Sequence, residues 1–86
     1  MKTYQVVLSK TAEKELSKLP VRIIAKIIAV VKSLENTPRP KGCKKLRGFA
    51  NLWRVRIGDY RIVYAIKEVT LLIDVRAIGL RKDIYD

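Results

Sequence analysis

The sequence predicts an α+β domain in which an N-terminal strand and a helical hairpin pack on a mostly antiparallel four-stranded sheet, in the order β-α-α-β-β-β, with a short C-terminal tail. Three observations predict it. Residues 53–64 alternate in polarity on either side of Gly58-Asp59, as a tight β-hairpin does. Residues 10–35 carry apolar side chains at helical spacing on both sides of Pro20. Residues 70–78 form a long β-rich run. With 86 residues and 49% hydrophobic content the chain suffices for one core, so residues 1–86 are expected to form a single domain.

In order, residues 2–8 alternate loosely and suit a strand. Ser9 is placed to cap the helix that follows, in which Ala12, Leu16 and Leu19 share a face. Pro20 stops that helix and opens the next. From Val21 to Glu35 a broad stripe of Ile23, Ile24, Ile27, Ile28, Val31 and Leu34 points to a helix lying on the apolar face of a sheet. Two prolines and a glycine between Asn36 and Gly42 mark a loop, and the basic stretch Cys43 to Gly48 follows. In the run Thr70 to Ile78, strict alternation puts Leu71, Ile73, Val75 and Ala77 on one face and Leu72, Asp74, Arg76 and Ile78 on the other. Apolar residues on both faces suit a more central strand, which Gly79 is expected to end.

The hairpin carries the most chemistry. Gly accepts the positive φ of a primed two-residue turn, and such a turn fixes the register. Ile57 then faces Tyr60, Arg56 faces Arg61, Val55 faces Ile62, Arg54 faces Val63 and Trp53 faces Tyr64. The aromatic residues fall on one face and Arg54, Arg56 and Arg61 on the other, which is expected to be exposed. Directly opposed like charges destabilise a hairpin, and no acidic residue shares that face. Two readings stand at this point: a solvated charged face, or an anion site built from the side chain best shaped for phosphate.

The charge distribution bears on the choice. The chain holds 19 Lys and Arg against 8 Asp and Glu, a net charge of +11. Residues 37–61 alone carry eight basic residues and one acidic, whereas residues 62–86 carry four of each. A polyanion partner is expected, a nucleic acid first, with an acidic protein or an anionic membrane surface satisfying the same field. No apolar run is long enough to span a membrane, the N-terminal apolar stretch is too brief for a signal peptide, and the cytoplasm is the expected compartment. Histidine is absent and Cys43 is the single cysteine, so no metal site, no cofactor and no thiol–imidazole pair is expected.

The element order, together with Lys45-Leu46-Arg47-Gly48 before the hairpin, Gly58-Asp59-Tyr60-Arg61-Ile62-Val63-Tyr64 within it, and Gly79-Leu80-Arg81 with Tyr85 beyond, resembles the RelE branch of the RelE/ParE toxin–antitoxin superfamily. The resemblance implies a toxin of a type II toxin–antitoxin pair that enters the ribosomal A site and cleaves the mRNA there. It also implies a cognate acidic antitoxin that wraps the basic surface, and operator DNA reached only through the antitoxin complex. The alternatives within the same resemblance are a ParE-like DNA gyrase poison without nuclease activity and an inactive, antitoxin-binding co-repressor.

By position, Arg61 falls on the family's phosphate-binding arginine, Arg81 on the arginine after the last strand, and Tyr85 on the C-terminal tyrosine that stacks on a base or assists proton transfer. Arg54 and Arg56 fall on a basic pair that is often lysine. Since a guanidinium is not deprotonated, neither can act as a base. Position 80, often histidine in relatives, is Leu80. The resemblance thus implies a metal-independent endoribonuclease in which the RNA 2′-hydroxyl attacks its own 3′ phosphate. Arg56, Arg61, Arg81 and Tyr85 are its expected catalytic residues, and Lys41, Lys44, Lys45, Arg47 and Arg54 are expected to bind RNA. For each of these cations the plain alternative is a solvated side chain, and for Tyr85 a packed one.

Overall fold

The computed structural model describes residues 3–80. Strand β1 (Gln5–Leu8) leads into helices α1 (Lys10–Ser17) and α2 (Val21–Ser33); strands β2 (Lys44–Lys45), β3 (Leu52–Ile57), β4 (Tyr60–Lys67) and β5 (Leu72–Leu80) follow. The expected order is present, with one strand more: two lysines of the basic stretch pair with β3, Lys44 opposite Arg54 and Lys45 opposite Trp53. The sheet order is β1-β5-β4-β3-β2. It is antiparallel except where β1 runs parallel to β5.

The local signals act as their chemistry dictates. The Ser9 hydroxyl caps α1 by accepting from the Ala12 amide at 3.1 Å. Pro20 stands at the N-cap of α2, and its carbonyl takes the Ile23 and Ile24 amides. Gly58 has φ +59 while Asp59 stays at negative φ, which suits the type II′ turn of a two-residue hairpin. Its register is the expected one, from Trp53↔Tyr64 to Ile57↔Tyr60.

The core lies between the helices and one face of the sheet. Ala12 of α1 and Ile27, Val31 and Leu34 of the α2 region are buried with Val55, Ile62, Tyr64, Ile66, Ile73, Val75 and Ile78. No described helix is long and apolar enough to cross a membrane.

One expectation is corrected. Strict alternation separates Ile78 from Ile73 and Val75, yet all three lie in the core. The cause is a β-bulge: Val63 pairs with Ala77 while the next residue, Tyr64, pairs with Val75, leaving Arg76 as the extra residue. The bulge switches the phase of β5. Past it, Ile62 meets Ile78 and Arg61 meets Gly79. Gly79 therefore lies inside β5, which runs on to Leu80.

Candidate nucleic-acid interface

The face of the sheet away from the helices carries the hairpin arginines in two rows. One row is Arg56, Arg61 and Gly79, from β3 across β4 to β5. The next is Lys44, Arg54, Val63 and Ala77, from β2 to β5. The opposition of Arg56 and Arg61 is as expected from the turn. The bulge places Gly79, a residue without a side chain, on the other flank of Arg61.

The expected exposure of all three arginines is not found. Arg61 is 2% exposed and Arg54 9%; Arg56 alone is exposed. Arg61 sits on β4, the middle strand of five, with a strand paired on each side, and Arg54 is flanked by β2 and β4. Arg56 lies past the end of β2 and keeps its head in water. None of the three is a free cation. A buried guanidinium is tolerated only when hydrogen-bonded or paired, so Arg61 is a fixed part of the fold as well as a candidate ligand group.

The other sequence candidates divide by element. Lys44 and Lys45 form β2; Lys41 and Arg47 lie in exposed turns on either side of it, so the four cations line one edge of the sheet. Leu46, between them, is buried and anchors the segment through its amide to the Leu52 carbonyl at 2.9 Å. Arg81 and Tyr85 lie outside the described residues.

A second constellation, at the far end of the hairpin, was not anticipated. The Arg39 guanidinium lies over the Trp53 ring, 4.9 Å from its centroid, and ion-pairs with Glu68 at 2.6 Å. The Tyr64 hydroxyl donates to the Pro38 carbonyl at 2.8 Å and so ties the loop that carries Arg39 to the core. Burial, reinforced by the neighbouring Cys43 and opposed by Arg39, raises the pKa of Tyr64 above its ordinary value of 10.0, so the hydroxyl keeps its proton.

A helical pair on one face of a five-stranded sheet, with Arg56 and Arg61 side by side on the other, makes this a small basic α+β domain with a candidate anion-binding face. The chain belongs to the family described as ParE toxin of type II toxin-antitoxin system, parDE, whose model matches residues 6–85. Among individual proteins it is similar to toxin RelE3 of Methanocaldococcus jannaschii, with 30% identity over 86 residues covering 95% of this chain and 96% of that one. Its fold is similar to that of a chain in the archaeal RelE–RelB complex from Pyrococcus horikoshii OT3, with a TM-score of 0.83, 29% identity, and 95% and 99% of the two chains covered. A chain of the toxin–antitoxin complex RelBE2 from Mycobacterium tuberculosis matches with a TM-score of 0.82 and 30% identity over 92% of this chain and 99% of that one. The expectation of a RelE-type toxin of a type II toxin–antitoxin system is thereby met.

Proposed function

We propose that this toxin is a ribosome-dependent, metal-independent endoribonuclease that cleaves mRNA in the A site, in the cytoplasm. The observation that carries the reading is the row Arg56–Arg61–Gly79, which sets two guanidinium groups side by side next to a residue with no side chain. Such a pair suits the phosphorane-like charge that builds when the 2′-hydroxyl attacks the adjacent phosphate.

In this mechanism Arg56 meets the phosphate first, because it is exposed. Arg61, buried beside it on β4, adds its positive charge to the field at that phosphate. Arg81 completes the grip on the scissile group, and Tyr85 takes the 2′-hydroxyl proton or stacks on the base. The 2′ oxygen forms its bond to phosphorus as the bond to the 5′ oxygen breaks and that oxygen takes a proton from solvent, giving a 2′,3′-cyclic phosphate and a 5′-hydroxyl end. With no histidine in the chain, alignment of the substrate falls to the ribosome. Lys41, Lys44, Lys45, Arg47 and Arg54 supply affinity for the RNA backbone without reading sequence.

The partner is a cognate acidic antitoxin, which the RelE–RelB and RelBE2 complexes of the relatives support. Its wrapping of the basic face would mask the same cations, and operator DNA would be reached only in that complex. A second reading, a ParE-like poison of DNA gyrase that acts by binding alone, is favoured by the name of the matching family model.

Growth inhibition on induction separates the readings when paired with variants. Arg56→Ala, at an exposed position, and Arg61→Lys, which keeps the buried charge, should both relieve inhibition while remaining folded and antitoxin-bound. Full toxicity of both variants contradicts the nuclease reading.

A further inference from the structure

Apart from Lys45, the groove at the far end of the hairpin has no part in the chemistry above. It is a shallow depression open to solvent, lined by Arg39, Lys45, Asn51, Trp53, Lys67 and Glu68, among others. We propose that it is an accessory subsite for one unpaired nucleotide of single-stranded RNA, with the base on the outer plane of Arg39 and the flanking phosphates on Lys45 and Lys67.

The argument starts with what Arg39 is doing. Its guanidinium lies over Trp53, 4.9 Å from the ring centroid, and its charge is met by Glu68. A phosphate gains less from a cation whose charge already has a carboxylate beside it than from an unpaired lysine. What it still offers is the planar face of a guanidinium, held near an indole and 42% exposed along its side chain. Nucleic-acid bases stack on such guanidinium planes as they do on aromatic rings. Trp53 itself is not the outer platform: Arg39 covers it, and its Nε1 is buried with no hydrogen-bond partner among the described residues.

The two lysines complete the site by contrast. Lys45 and Lys67 line the same groove and make no ion pair among the described residues, so their charge is available to a phosphate. Asn51 spends its amide N–H on the Ile66 carbonyl, leaving its side-chain oxygen toward the polar edge of a base as an acceptor. The groove thus separates a neutralised planar platform from two unneutralised point charges, which is the division of labour a nucleotide needs and a bare polyanion does not. An acidic peptide would use the lysines but has no flat group for Arg39.

The location gives the subsite a role. Lys67 is six residues along β4 from Arg61, about 20 Å at the strand rise, and Lys45 pairs with Trp53 on the face opposite the arginine row, so RNA held here reaches the cleavage row around the edge of the sheet. The inference rests on the proposed use of RNA as substrate class, and its test needs no cleavage. Trp53 is the only tryptophan, directly beneath the platform, and so reports on it.

The chain is titrated with a 5′-labelled 2′-O-methyl hexanucleotide, which cannot be cut, while Trp53 emission and label anisotropy are followed. A saturable change in both is expected. Arg39→Ala and Arg39→Lys should each weaken binding about tenfold, because lysine restores charge but no plane. Lys45→Ala and Lys67→Ala should each lower the salt slope by about 1. Equal binding by an abasic oligomer, or full retention by Arg39→Lys, would overturn the base platform. A hexaglutamate peptide that matched the oligonucleotide would assign the groove to an acidic protein segment instead. Loss of toxicity in Arg56→Ala with this binding intact leaves the subsite standing, and loss of this binding with cleavage intact leaves the nuclease standing.

Discussion

The Glu15 carboxylate of α1 accepts a hydrogen bond from the Ile78 backbone amide at 2.9 Å, across 63 residues of chain. That amide belongs to the bulged region of β5. On the same side of α1, the Ser9 hydroxyl donates to the carbonyl of Arg76, the extra residue of the bulge, at 3.2 Å. Helix α1 thus takes one donor and one acceptor from the stretch of β5 where the ladder is broken. The bulge brings Gly79, rather than Ile78, beside Arg61. The helix on one face therefore holds the register on which the arginine row on the other face depends.

Removing that acceptor should be felt at both places. Glu15→Ala leaves a part-buried amide without its partner, a loss of about 1–3 kcal/mol, read as a lower urea midpoint. Growth inhibition should fall with it as the β5 register loosens. Glu15→Gln keeps an acceptor oxygen and should retain most of both. An alanine variant of wild-type stability would show that the bulge holds without α1.

Arg56 and Arg61 face each other across the hairpin, and like charges so placed cost about 0.2–1 kcal/mol. Arg56→Ala should therefore leave thermal stability unchanged or slightly raised while it abolishes most toxicity. A clear fall in melting temperature would mean that the exposed guanidinium is structural.

Tyr64 gives the fold a dependence on alkaline pH. Its native pKa lies above the value of 10.0 that the unfolded chain keeps. Below pH 10 both states hold the proton and its contribution is complete; above it the unfolded state releases the proton first, so stability falls as pH rises. Urea midpoints between pH 8 and 11 should decline above 10. Tyr64→Phe should flatten that decline, at a cost near neutral pH of about 1 kcal/mol for the lost bond to Pro38. An unchanged slope in the phenylalanine variant would contradict the assignment.

What the sequence revealed follows from where local rules decide. A two-residue turn leaves one register, so every pairing from Trp53↔Tyr64 to Ile57↔Tyr60 was legible, as were the Ser9 cap and the break at Pro20. The β5 bulge was not, because a run with apolar side chains on both faces accommodates either phase, and only packing against α1 and β4 selects one. Strand β2 was missed since two lysines carry no β pattern; their pairing partner supplies it. The burial of Arg61 was not legible, because alternation along a strand assigns a side chain to a face and does not say what covers that face. Arg39, Trp53 and Glu68 come from a loop, a strand start and a turn far apart in sequence, and nothing in their spacing brings them together.

Mapping the 5′ ends of transcripts after inducing the chain in cells tests the central claim most directly. The account predicts new 5′-hydroxyl ends inside translated codons, in phase with the reading frame, lost when translation is blocked and lost in Arg56→Ala. Transcripts that stay intact while growth stops and DNA breaks accumulate would contradict it.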